Sequence, residues 1–150
     1  MKIKYLTNHA TKEQIYYHLK ECDKWFVPAL STRIKLKKFS KKIFNTAIVF
    51  EAWDKKKLIG MVSAYFNDPY LKSGFINNVS IAKVYWKKNI AFTLLSKCIQ
   101  YGENNNFSEI ILEVSKNNNA LNLYKKIGFS AFKTVEHLQF LKYKIRKESN

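Results

Sequence analysis

At 150 residues, with 47% hydrophobic and 15% aromatic side chains, the chain has enough apolar material for a packed core and too much for a disordered segment. No apolar run approaches the roughly 18 residues of a membrane span, and Met1-Lys2-Ile3-Lys4-Tyr5 has no signal-peptide core, so a cytoplasmic protein off the membrane is expected. The net charge of +16 favours anionic partners over polyamine-like cations; the lysines are scattered except at 35–42 and 55–57, which argues against a dedicated nucleic-acid surface. Cys22 and Cys98 match no metal-ligand spacing, and Cys98 falls on the apolar face of a helix, so reduced thiols and no metal are expected.

Ile3 to Leu6 predicts a first strand. Thr11 is an N-cap candidate for a helix to about Glu21, with Ile15, His18, Leu19 and Cys22 along one face. Phe26 to Ser31 reads as a loop and Ser31 to about Ile43 as a second helix. Ala47 to Trp53 and Leu58 to Phe66 form a hairpin about the turn at 54–57, and Asn67-Asp68-Pro69 ends it. A fourth strand, Phe75 to Ile81, leads to a helix from Asn89 to about Tyr101. Ala91, Leu94, Leu95 and Cys98 give that helix its inward stripe, and Gly102 with Asn104 to Asn106 stop it. Ile110 to Val114 is a fifth strand. A last helix runs from about Asn118 to Ile127, with Asn117 as its N-cap, Ala120, Leu123, Tyr124 and Ile127 inward, and Gly128 as its stop. Two strands, about Phe129 to Thr134 and Leu138 to Tyr143, complete the order, and the tail from Arg146 is expected to fray. The expectation is one α/β (α+β) domain over residues 1–150: a mixed, mostly antiparallel seven-stranded sheet flanked by about four helices.

The segment from Phe75 to Phe129 carries the chemistry. A strand that opens directly into a helix leaves unpaired N–H groups and a positive dipole end, which suit a diphosphate. A tyrosine beside such a site can protonate a departing thiolate. Together these features suggest acyl transfer from coenzyme A.

The element order and two motifs, Trp86-Lys87-Lys88-Asn89-Ile90-Ala91 and Asn117-x-x-Ala120-x-x-Leu123-Tyr124-x-x-x-Gly128-Phe129, resemble the GNAT superfamily of acetyl-coenzyme A-dependent N-acetyltransferases. The first departs from that family's Arg/Gln-x-x-Gly-x-Gly/Ala: Trp86 replaces Arg or Gln, and Asn89 replaces glycine. Asn is the non-glycine residue that best tolerates positive φ, at about 1 kcal/mol, and Lys87 and Lys88 add attraction for phosphate. The resemblance implies a cleft where the fourth strand splays from the fifth. Pantetheine would lie along the backbone of Val79, Ser80 and Ile81, with diphosphate at Lys87, Lys88, Asn89, Ile90, Ala91 and Phe92. It implies that Asn117 holds the coenzyme arm, or Asn118 in its place because the linker from Val114 is a residue short. It also implies that Tyr124 protonates the thiolate.

Direct attack by an amine needs a proton acceptor. Glu113 is the first candidate, since it matches a glutamate that some ribosomal-protein acetyltransferases of this superfamily use as base; Glu51 and Asp68 are reserves. His9, His18 and His137 read as structural or exposed, and neither cysteine has the histidine or helix-start context of a nucleophile, so no covalent intermediate is expected. The segment from Trp25 to Ile43, cationic and aromatic, suits an anionic small-molecule amine. Part of it, Cys22 to Arg33, resembles superfamily members associated with surface-polysaccharide biosynthesis, which implies a nucleotide-linked amino sugar. A protein N-terminus or lysine is the second acceptor class, and a non-catalytic acyl-coenzyme A-binding module is the rival reading. A monomer or homodimer is expected.

Overall fold

In the computed structural model, residues 2–68 and 70–145 are described. The fraying expected from Arg146, and Pro69 within the predicted strand break, lie outside them. Seven strands are present: β1 (Lys4–Thr7), β2 (Ile48–Asp54), β3 (Lys57–Tyr65), β4 (Ser73–Ile81), β5 (Glu109–Ser115), β6 (Ser130–Val135) and β7 (Leu138–Lys144). They form one sheet in the order β1-β2-β3-β4-β5-β7-β6. Every pairing is antiparallel except β4 with β5, which is parallel.

Four helices cover it: α1 (Lys12–Cys22), α2 (Leu36–Thr46), α3 (Ile90–Asn104) and α4 (Leu121–Ile127). Two cores separate the faces. Ile15, Leu19 and Ile43 of α1 and α2 pack on Val49, Trp53, Leu58 and Met61. Leu94, Leu95 and Cys98 of α3 and Tyr124 of α4 pack on Val62, Ile76, Ile110, Leu112 and Leu141. Strand alternation sorts side chains between the two faces, so Ile110, Leu112 and Val114 look toward α3 and α4 while Glu113 looks the other way.

The start of α1 is as expected: Thr11 Oγ1 accepts from the Gln14 N–H at 3.1 Å, and Gln14 Oε1 accepts from the Thr11 N–H at 2.9 Å, a reciprocal capping box. Three predicted boundaries move. Helix α2 begins at Leu36 rather than Ser31, because the Asp23 carboxylate takes both the N–H (2.8 Å) and the hydroxyl (2.5 Å) of Ser31. That clamp folds the connection into short 3₁₀ turns at Asp23–Trp25 and Leu30–Thr32. Gly102 does not stop α3, which runs on to Asn104. A Cβ on Gly102 would sit 2.9 Å from Ile145 Cδ1, so the glycine serves close packing.

Helix α4 starts at Leu121 with Ala120 as its N-cap residue, and Asn117 caps nothing. Asn118 Oδ1 instead accepts from the Ala120 N–H at 2.8 Å, a local turn that consumes the residues expected to begin the helix. Gly128 does end α4, with φ of +129° and its N–H donating to the Tyr124 carbonyl at 3.2 Å.

Candidate active site

The site begins where two neighbouring strands part. The β4–β5 ladder runs for four pairs, from Ser73–Glu109 to Ile76–Leu112. At that point the β3–β4 register slips by one residue: Ser63 faces Asn78 and Ala64 faces Ile76, which leaves Asn77 as a bulge. A bulge bends its strand and ends local pairing. Residues 77–81 therefore stay bonded to β3 while their other edge draws away from β5, giving the expected splayed cleft. Two carbonyls of this free segment already have donors from side chains: Ser80 from His18 Nε2 at 3.2 Å and Ile81 from Trp86 Nε1 at 2.7 Å.

Beyond Ile81 the chain is anchored by the Ala82 N–H on the Ile59 carbonyl (2.8 Å), makes a 3₁₀ turn at Lys83–Tyr85, and enters α3. Asn89 sits in the left-handed region at φ +62°, ψ +16°, the conformation in which Asn is a tolerable substitute for glycine. Lys87 is also left-handed at φ +62°, which its side chain gave no reason to expect. No acidic residue occupies the first turn of α3, and the Asn89 side chain makes no cap. The N–H groups that open the helix are thus free for an anion. A depression of about 260 Å³ lies here, lined by Ile81, Lys87, Asn89, Ala91 and Phe92 and reached by Leu123 of α4.

Trp86, in the position where the resembled motif has Arg or Gln, is turned toward the α1–α2 connection. Its ring lies 5.6 Å from that of Trp25, edge to face, and Lys83 Nζ sits 3.8 Å from the Trp86 ring and 4.8 Å from the Trp25 ring. This cation–π cluster joins the loop before α3 to the loop before α2.

Tyr124 is buried on the α3/α4 face, 6.1 Å from the Phe129 ring, and burial raises its phenol pKa, so the hydroxyl stays protonated at neutral pH. Glu113 is exposed on the other face of β5, one residue beyond the last β4–β5 pair. Val79 and Ser80 lie on the free segment, the latter with its side chain turned to α1; Lys88 and Asn117 are exposed on their loops.

The reserve bases are otherwise engaged. Glu51 is fully buried, and its two oxygens accept from the N–H groups of His9 and Ala10 and from Trp53 Nε1 at 2.9–3.1 Å. Asp68 Oδ1 holds a turn through the N–H groups of Tyr70 and Leu71.

His18 is structural, one of the two readings its place on the α1 stripe allows. Although α1 is an outer helix, the imidazole is 2% exposed and reaches Ser80 Oγ at 2.9 Å. Cys22 Sγ lies 3.7 Å from its Nε2, so that thiol does have a histidine neighbour. Burial lowers the His18 pKa to about 4 and raises the Cys22 thiol to about 12, which keeps both neutral and leaves the pair inert as a nucleophile and base. The signal was present in the Ile15-His18-Leu19-Cys22 stripe; what it would meet was not.

The GNAT acetyltransferase family model matches residues 12–129. The chain belongs to that family. Among solved structures, this GNAT chain is similar to the PaiA N-acetyltransferase of Thermoplasma acidophilum in complex with coenzyme A, at 18% identity over 96% of this chain and 99% of that one (TM-score 0.79). It is similar also to the ribosomal-protein-S18-alanine N-acetyltransferase of Escherichia coli, at 15% identity over 99% and 97% (TM-score 0.76). An aminoglycoside 6'-N-acetyltransferase complexed with coenzyme A superposes over the whole of both chains at 11% identity (TM-score 0.80). At these identities the likeness is one of fold. No curated protein sequence matches the chain. No helix among the described residues is long and apolar enough to cross a membrane.

Proposed function

We propose that this GNAT acetyltransferase transfers an acetyl group from acetyl-coenzyme A to a primary amine by direct attack. The parting of β4 from β5 beside an uncapped, acid-free helix start is the observation that carries the reading: the gap suits an extended pantetheine arm, and the helix start suits its diphosphate. In this reading the free edge of Val79, Ser80 and Ile81 bonds the arm, and Lys87 with the N–H groups of Asn89 to Phe92 holds the phosphates. The acceptor amine approaches from the Glu113 face and loses its proton to that carboxylate, directly or through water. The thiolate departs toward the α4 face, where Tyr124 supplies a proton.

The acceptor we favour is an anionic amine such as a nucleotide-linked amino sugar, on the strength of the +16 charge and the cationic, aromatic segment from Trp25 to Lys42. A protein N-terminus, in the manner of the S18-alanine enzyme, is the second class.

Two measurements test the reading. Calorimetry should detect acetyl-coenzyme A, and Lys87→Glu with Lys88→Glu should weaken it at least tenfold while Lys55→Glu with Lys56→Glu changes it little. Thiol release should then appear with some member of an amine panel. No binding at millimolar acetyl-coenzyme A would end the assignment, and binding without thiol release from any amine would favour the non-catalytic module.

A further inference from the structure

The bulge at Asn77 leaves two adjacent carboxamides, Asn77 and Asn78, with their oxygens occupied. Asn77 Oδ1 accepts from the Ser63 hydroxyl, and Asn78 Oδ1 accepts from the Ser80 hydroxyl at 2.8 Å. The second orientation is fixed from behind. His18 Nε2 lies 3.2 Å from the Ser80 carbonyl, which can only accept, so that nitrogen carries the proton. Nε2–H then also faces Ser80 Oγ at 2.9 Å, and the hydroxyl must spend its own proton on Asn78. Asn78 consequently turns its NH₂ away from Ser80, and Asn77, whose oxygen takes the Ser63 proton, turns its NH₂ away from Ser63.

Asn77 Nδ2 is buried and has no partner among the described residues. The same holds for the Tyr65 hydroxyl, two residues along β3 from Ser63 and so on the same face. That face is the one toward α1 and α2, since Lys42 of α2 lies over the Tyr65 ring at 5.6 Å and His18 of α1 reaches Ser80. Across the mouth of the cleft, Glu113 occupies on β5 the place that Asn77 occupies on β4, the first residue past the last pair. Buried donors without acceptors are rare and cost about 1–3 kcal/mol each. The Asn77 donor, at the first position where the strands part, calls for an oxygen delivered from outside.

We infer that Asn77 determines acceptor specificity by donating a hydrogen bond to an oxygen carried on the carbon next to the reacting amine. This rests on the acetyl-transfer reading above and narrows it. The acceptor class is a vicinal amino alcohol, the unit found in a 2-amino sugar, and a plain alkylamine is disfavoured because it would leave the Asn77 donor buried and unmatched. Sites built to bond a substrate hydroxyl reject analogues lacking it strongly, whereas sites lined by apolar groups do not.

The probes are trans-2-aminocyclohexanol and cyclohexylamine, which differ in one hydroxyl, assayed by thiol release with wild type and Asn77→Leu. Because the same two amines are compared in both proteins, their own basicities cancel in the ratio. Wild type should prefer the amino alcohol at least 30-fold in kcat/KM on the order expected for one satisfied donor pair, and Asn77→Leu should bring the preference within about threefold. Coenzyme binding, followed by calorimetry, should be unchanged in the variant. A second readout needs no turnover: the Asn77 side-chain NH₂ resonances should shift when the amino alcohol, but not cyclohexylamine, is added to the protein with coenzyme A. Equal use of the two amines by wild type, a preference that survives in Asn77→Leu, or unshifted NH₂ resonances would overturn the inference and leave the acetyltransferase reading standing. Failure of the wild type to bind coenzyme would overturn the reading itself.

Discussion

The phenol of Tyr124 is held protonated by burial while its ring packs near Phe129. A proton donor for a thiolate acts only once negative charge gathers on sulfur, so its removal should cost the transition state and spare the ground state. Tyr124→Phe should therefore lower kcat about 10²-fold, in the range of a single general acid, with acetyl-coenzyme A affinity within twofold and the melting temperature nearly unchanged. Steady-state kinetics, calorimetry and thermal unfolding check the three parts; unaltered kcat with chemistry rate-limiting would leave Tyr124 a packing residue. Legibility varied with how local each residue's role is. Asn89 could be placed in the left-handed region because its own side chain tolerates it, while nothing in Lys87 marks the same conformation. The depth of His18 depends on Ser80, which lies 62 residues further along the chain, and periodicity along one helix does not name the partner across it.

Helix α1 illustrates both sides of that at the next scale. Its start is written in Thr11 and Gln14 and was readable; its buried face ends on a neutral histidine hydrogen-bonded to β4. A histidine whose folded pKa is near 4 against 6.5 when unfolded takes up its proton only in the unfolded chain between those values. Stability should thus be full above about pH 6.5 and fall as the pH drops toward 4, by roughly 3 kcal/mol for this group over the whole window. Urea unfolding at pH 7, 6 and 5 should show that slope in the wild type, and His18→Gln, which keeps a side-chain N–H for Ser80, should flatten it. Equal slopes in both proteins would mean that other groups govern the acid limb. The starts of α2 and α4 were misplaced for a common reason: Ser31 and Asn118 are cap-type residues whose capacity is consumed elsewhere, by the Asp23 carboxylate and by a turn onto the Ala120 N–H. The succession of strands along the chain was legible from their apolar runs, whereas the one-residue slip at Asn77, which opens the cleft, left no mark in the hydrophobic pattern.

Over the whole molecule, 27 Lys and Arg residues against 11 Asp and Glu set a positive field that reaches an approaching substrate before any contact forms. With the screening length at about 8 Å in physiological salt, kcat/KM for an anionic amine such as UDP-glucosamine should exceed that for spermidine and should fall as salt rises. Faster acetylation of spermidine at low salt would show that a local acidic pocket overrides the field, and the anionic-acceptor proposal would be wrong. The Trp25–Lys83–Trp86 cluster has a consequence in emitted light. Of the three tryptophans, Trp53 is buried beneath α1 and α2, while Trp25 and Trp86 are 42% and 40% exposed and touch each other between the loop before α3 and the loop before α2, the loops proposed to hold coenzyme and acceptor. Two of the three indoles therefore stand as native fluorophores where the two substrates would meet, and the third supplies a steady blue-shifted background. Whichever ligand parts or tightens the pair should change the red side of the emission band, so the order in which coenzyme and acceptor arrive can be followed by stopped flow without a label.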